Sequence, residues 1–126
     1  MAQLTDSGQT ERQYIEAYGG GGFRVSGERF TGSVLVRPQL TLAWPVTRHA
    51  DISLESLAKL TAQSPSLEIL LIGCGARNQM LPRALRDGLR DLGIVPEAMD
   101  TGAACRTFNV LLAEARRVAA ALIAVD

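Results

Sequence analysis

The sequence predicts an α/β fold in which N-terminal antiparallel strands lead into an α-β-α-β-α-β series. Two observations carry this reading. As far as Trp44 the apolar residues recur at a period of two, as a half-buried strand requires. From Asp51 onward, stretches with helical spacing alternate with short apolar runs. Right-handed crossovers between those runs stack the later strands as a largely parallel sheet with flanking helices. At 126 residues, 47% hydrophobic and 21% charged, the chain suits one domain with its own core. Its expected bounds are residues 13–126, preceded by a disordered polar terminus over residues 1–12.

Tyr14 to Tyr18 alternates and reads as a first strand. The tetraglycine Gly19 to Gly22 reads as a flexible joint and Phe23 to Val25 as a second strand. Ser26-Gly27 is then a two-residue hairpin turn with glycine supplying the positive φ. Phe30 to Val36 alternates as a third strand ended before Pro38, and Leu40, Leu42 and Trp44 suggest a fourth that extends the same antiparallel sheet. Asp51 or Ser53 caps a helix running to Ala62, with Leu54, Leu57, Ala58 and Thr61 at helical spacing.

The run Leu67 to Ile72, interrupted only by Glu68, has the composition of a strand covered on both faces. Pro82 suits the first turn of a second helix, whose stripe is Leu81, Leu85, Leu89 and Leu92 and whose end is Gly93. On its solvated side Asp87 faces Arg83 and Arg90. Ile94 to Met99 is a further strand. Asp100 or Thr101 then opens a third helix that turns Ala104, Cys105, Phe108, Leu111, Leu112 and Ala115 toward the core, with Arg116 and Arg117 at its negative end. In Val118 to Val125 the alanines favour helix while the length and hydrophobicity suit a buried strand; strand is the expectation here.

The formal net charge is zero, so nothing global draws the chain to a phosphate backbone or an anionic bilayer, and no nucleic acid is expected as partner. Lys59 is the only lysine among 13 cationic residues, which reads as compositional bias rather than function. Two cysteines are too few for a disulfide scaffold, and no export segment or basic transit segment follows Met1. The run Val118 to Val125 falls well short of the roughly twenty residues a membrane helix needs. The expected compartment is the cytoplasm, with no cofactor and no metal.

Concentrated polar chemistry falls in two strand-to-helix turns, at the edge where open α/β sheets gather ligands. The first is Gly73-Cys74-Gly75-Ala76-Arg77-Asn78-Gln79. Its glycines admit close backbone approach and Arg77 offers an anion a bidentate fork, but Asn78 stands where a dinucleotide fingerprint needs its third glycine. The second runs from Asp100 through Thr101, Arg106 and Thr107 to Asn109. Here Asp100 reads first as a helix cap, and Arg106 with Asn109 share a surface at i and i+3.

Cys105 near a helix start and Cys74 in the neighbouring turn are the candidate redox pair, with buried thiols as the plainer explanation. His49, the only histidine, lacks a nucleophile elbow to serve and is expected to be exposed, and Trp44 is expected to anchor the core at a strand end. No catalytic set emerges.

Four segments taken together, Tyr18-Gly-Gly-Gly-Gly-Phe-Arg-Val, Gly32-Ser-Val-Leu-Val, Leu70-Leu-Ile-Gly-Cys-Gly and Met99-Asp-Thr-Gly-Ala-Ala-Cys-Arg-Thr-Phe-Asn-Val-Leu, carry a resemblance. The chain resembles the bacterial and archaeal domain-of-unknown-function family that includes mitochondrial complex I assembly factor three. The resemblance covers roughly residues 14 to 125, and the block from Met99 is its most specific part. It implies a three-layer fold with a central mixed sheet and no established enzymatic activity. The mitochondrial relative binds another assembly factor and newly made complex I subunits at the inner membrane.

The chain departs from that relative in having no transit segment and in placing Cys74 where threonine is more usual. No catalytic residues are carried over. What the resemblance implies is a candidate binding surface of Gly73, Gly75, Arg77, Asp100, Thr101, Arg106, Thr107 and Asn109, for a protein partner or a second copy of the chain. The alternative is a small-anion site or enzyme using the helix N-termini after Ile72 and Met99.

Overall fold

The computed structural model describes residues 13–62 and 66–126; the polar terminus over residues 1–12 lies outside them. The strands are β1 Ile15–Gly19, β2 Gly22–Val25, β3 Glu28–Thr31, β4 Val34–Val36, β5 Thr41–Ala43, β6 Ile69–Gly73, β7 Val95–Met99 and β8 Val118–Leu122. The α-helices are α1 Ala58–Thr61, α2 Arg83–Asp91 and α3 Thr101–Ala113. β1, β2 and β3 form one antiparallel sheet, and a second sheet has the order β5-β4-β8-β6-β7. In it β4 pairs antiparallel with β5 and β8, while β6 runs parallel to β8 and β7. This is the mixed α/β architecture that the sequence predicts.

The five-stranded sheet is covered on both faces. On one, Leu57, Leu60, Leu85 and Leu89 from the helical segments pack with Trp44 and Val46 against Leu70, Ile72, Ala119 and Ala121. On the other, Ala104, Cys105, Phe108 and Leu112 of α3 join Ile15, Phe23 and Val25 of the small sheet over Leu71, Val118, Ala120 and Leu122. Every residue of β8 is 0% exposed, so the expected strand is also the most enclosed one. Trp44 is the core anchor expected, and its indole N–H donates to the Ser56 carbonyl at 2.9 Å.

Several local expectations are corrected. Phe30 to Val36 is not one strand: the chain turns at Gly32, with φ of +88°, a conformation glycine adopts without the penalty a Cβ brings. The next residue, Ser33, is buried, and its hydroxyl accepts the Ala124 N–H at 3.1 Å while its carbonyl accepts from Trp44. β3 and β4 therefore belong to different sheets, and β5 extends the larger one. The tetraglycine is not a loose joint. Gly20 and Gly21, both at positive φ, make a tight turn between β1 and β2, and the Gly21 N–H donates to the Val125 carbonyl at 2.9 Å.

The segment predicted as one helix to Ala62 is two 3-10 turns followed by the single turn α1. Of the two proposed caps, Ser53 acts, its hydroxyl accepting the Ser56 N–H as the Ser56 hydroxyl accepts the Ser53 N–H. Leu92 is 53% exposed, off the apolar stripe of α2. Ala115 is exposed at φ of +62°, where it closes α3 rather than entering the core. Arg116 reaches back to Glu68 in a two-pronged contact of 3.2 and 2.9 Å, which holds the Glu68 carboxyl below its usual range, and Arg117 donates to the Ser66 carbonyl.

One side chain of α3 holds the small sheet by a pair of hydrogen bonds. The Asn109 amide accepts from the Ile15 N–H and donates to the Ile15 carbonyl, both at 2.9 Å. Ile15 lies on β1, an edge strand of the small sheet. Asn109→Ala is expected to cost about 1–3 kcal/mol in urea unfolding, and to speed hydrogen exchange at Ile15 well before exchange rises in β8. Unchanged protection at Ile15 would show that β1 is held by apolar packing alone.

Candidate functional site

The carboxyl ends of β6, β7 and β8 meet at one corner, and backbone bonds bind them there. The Cys74 N–H donates to Met99, the Thr101 N–H to Gly75, and the Ile123 N–H to Gly73, at 2.8, 2.8 and 3.0 Å. The Thr101 hydroxyl completes the knot by accepting the Gly75 N–H at 2.9 Å and donating to the Ile123 carbonyl at 2.7 Å. It is wholly buried. Gly73 has no room for a side chain, since a Cβ would stand 3.0 Å from the Thr101 Cα. The two turns singled out by sequence are thus brought together, through Gly73, Gly75, Asp100 and Thr101.

Much of their polarity is spent on the fold itself. Asp100 caps α3 by accepting the Ala103 N–H at 2.9 Å. The Thr107 hydroxyl turns back to the Ala103 carbonyl, and Asn109 is taken up by Ile15. The first turn does not open a helix: nine residues, Cys74 to Pro82, separate β6 from α2. Arg77 stands exposed in that loop, without a hydrogen bond or ion pair among the described residues.

Beside the knot lies an open cleft of about 520 Å³ lined by Tyr18, Gly75, Ala76, Asp100, Gly102 and the tail Ala124, Val125 and Asp126. Tyr18 continues into a second depression of about 320 Å³ between β1 and α3, where Cys105, Arg106 and Asn109 line the wall. Its hydroxyl sits against Gly102 and accepts from Arg106 Nη1 at 3.4 Å. Tyr18, Gly102 and the tail were not among the sequence-predicted site residues. Gly102 carried a readable signal, because glycine in the first turn of a helix costs stability and marks a close approach. Nothing local in Tyr18 foretold its position.

The cysteines lie on opposite faces of the sheet, Cys74 in the cluster with Ile72 and Ile123 and Cys105 in the cluster with Phe108 and Leu122. Both are buried. Burial pushes the Cys74 thiol up, and pushes that of Cys105 up to about 12 against the weaker opposing pull of Arg106. These are packed thiols in their protonated form, and the geometry does not pair them. His49 is half-buried in a 3-10 turn rather than exposed, with Nε2 shielded from solvent. Among the described residues no group of three His, Cys, Asp or Glu is placed to hold a metal ion.

The family described as "Protein of unknown function (DUF498/DUF598)" matches residues 15–123. The chain belongs to this family. Among similar proteins, NADH dehydrogenase [ubiquinone] 1 alpha subcomplex assembly factor 3 of Xenopus tropicalis is 41% identical over 90% of the chain and 62% of its own length. The chain therefore spans less than two thirds of that relative. An uncharacterised protein of Rhodobacter capsulatus is 38% identical over 86% of the chain and 82% of its own length. Among solved structures, a chain described as an outer membrane protein of Bartonella henselae superposes with a TM-score of 0.85 at 41% identity, covering 93% of this chain and 98% of that one. A Bordetella parapertussis protein gives a TM-score of 0.82 at 38% identity, with 90% and 96% covered. The DUF498/DUF598 match contains both turns and the Thr101 knot.

Thr101→Val removes a hydroxyl that satisfies two buried backbone groups while keeping the side-chain volume. The expected cost in urea unfolding is about 2–4 kcal/mol; a cost near zero would mean that the two groups find other partners. A second prediction concerns pH. Cys105 keeps its proton longer in the folded chain than in the unfolded one, so its contribution is intact below pH 9.0 and is lost as pH rises from 9.0 toward about 12. The melting temperature is expected to fall across that interval, and to fall less steeply in Cys105→Ala.

Proposed function

We propose that this chain is a non-catalytic protein-interaction member of the DUF498/DUF598 family that assists assembly of respiratory complex I, the NADH dehydrogenase. The observation that carries the proposal is the likeness to proteins named as assembly factor 3 of that complex, 41% identical in Xenopus tropicalis and 35% in Homo sapiens over 90% of the chain. The interaction surface is the corner where the two turns meet, extended by Tyr18 and Arg106. Arg77 adds an exposed cation beside it. Open, shallow, mixed surfaces of this sort suit a protein segment better than a small molecule, which is held in a more enclosed site. Among the described residues no helix is long and apolar enough to cross a membrane.

The alternative, a small-anion site at the helix N-termini, has weaker support. Asp100 and Asp126 line the cleft and repel an anion, and Arg77 is not among its lining residues.

The test is purification of the native protein after cross-linking, with identification of partners by mass spectrometry. NADH dehydrogenase subunits are the expected partners, with cross-links around the Tyr18 and Arg106 surface and reduced recovery from Arg106→Glu. Recovery of the chain with no reproducible partner, or only as its own dimer by light scattering, would sink the proposal.

A further inference from the structure

A further cavity, of about 310 Å³, lies away from the cleft on the open edge of the larger sheet. Asn78, Gln79, Met80, Leu81, Arg86, Pro96 and Ala98 line it. Its volume is at the lower end of those that hold small ligands. Arg86 is half-buried, and its Nε is closed off from solvent with no hydrogen-bond partner. Among the described residues Arg86 has no ion pair: Asp87 faces Arg83 at 4.0 Å. Glu97 is on the far side of the pleat from Pro96 and Ala98. The terminal Nη1 and Nη2 of Arg86 have no hydrogen-bond or ion-pair partner among the described residues and, unlike Nε, are not closed off from solvent.

The backbone adds a donor. In β7, Val95 and Met99 turn their backbone groups to β6, through Val95 N–H to Glu68 and Cys74 N–H to Met99. The alternate residues Pro96 and Ala98 therefore face outward on the sheet edge. Pro96 has no N–H and so disfavours an added strand at this edge. The Ala98 N–H remains, directed outward on the sheet edge, and Asn78 and Gln79 line the same cavity. One cation, neutral donors and an apolar wall from Met80, Leu81 and Pro96 match an anion of single charge with an apolar stem. They do not match a phosphate dianion, for which a second cation is missing.

We infer that this cavity binds a carboxylate, held end-on by the two Nη groups of Arg86 with the Ala98 N–H as further donor. The fork geometry of a guanidinium fits the two oxygens of a carboxylate. The site is separate from the cleft and stands whether or not the proposed assembly role holds. The carboxylate comes either from a free aliphatic acid or from the C-terminus of a protein chain.

The experiment is an NMR titration of the 15N-labelled full chain with sodium butyrate, with a short alanine-valine peptide ending in a free carboxylate, and with the same peptide amidated. Inorganic phosphate is the contrast. Butyrate or the free-acid peptide is expected to shift the Ala98 amide and the Arg86 Nε–H signals, and the amidated peptide is expected to leave them in place. Arg86→Gln is expected to weaken binding by at least about tenfold, and Arg86→Lys to weaken it too, because a point charge lacks the fork. Tighter binding of the peptide than of butyrate assigns the source to a chain terminus, and equal binding assigns it to a small acid. The inference is overturned if neither carboxylate moves those signals, if the amidated peptide binds as well, if phosphate binds more tightly, or if folded Arg86→Gln binds as wild type does. Should Arg86→Gln not fold, the comparison of acid with amide on the wild-type chain decides alone.

Discussion

The placement of β8 at the centre of the larger sheet is the constraint on which the rest of the structure depends. Its neighbours are β4, from the antiparallel N-terminal part, and β6, from the parallel C-terminal part. Without β8 the pair β4-β5 and the pair β6-β7 are not joined, because β8 alone lies between them, with residues 34 to 36 pairing with residues 120 to 122 across most of the chain. Both faces of the strand are covered, and Ala119, Ala120 and Ala121 keep it thin enough for layers on either side to approach. Burying alanine yields less per residue than burying leucine. The strand is filled out instead by Phe108 and Leu112 above it and by Leu57, Leu60 and Leu89 below.

The same placement creates the candidate site. Bringing the ends of β6, β7 and β8 to one corner leaves backbone groups that are cut off from water and must find partners. Thr101 supplies two of these partnerships, Asp100 caps the helix that begins there, and Asn109 holds the edge of the small sheet. These side chains are polar because the fold needs them to be. The surface proposed for recognition is therefore made chiefly by residues around the knot, Tyr18, Arg106, Gly102 and the tail.

The elements of the second half were legible because their signals are local. The apolar run of β6, the cap at Asp100 and the helical spacing of Leu85 with Leu89 each depend on neighbours within a turn or two. The first half was less so. Alternation continues unbroken from Phe30 to Val36, yet the chain changes sheets at Gly32, and what holds the corner is a bond between Ser33 and Ala124. Period two states that a segment is extended and says nothing of which sheet it joins. Leu92 and Ala115 were misplaced for a related reason: helical spacing continues past the point where the helix stops. Tyr18 was invisible as a site residue because its hydroxyl meets Gly102 and Arg106 only after β1 docks on α3.

By itself, then, the sequence determined the class of fold, the order of the elements from β6 onward, the buried strand at Val118 and the family to which the chain belongs. Each of these is encoded in hydrophobic period, capping residues or motifs that act over short separations. Tertiary structure alone decided the division into two sheets, the central seat of β8, the opposite-face placement of Cys74 and Cys105, and which polar residues of the two turns are taken up by partners within the fold. Those outcomes rest on contacts between residues as distant as Ile15 and Asn109. A buried donor or acceptor takes whatever partner the packing brings to it, and only the folded chain specifies that partner.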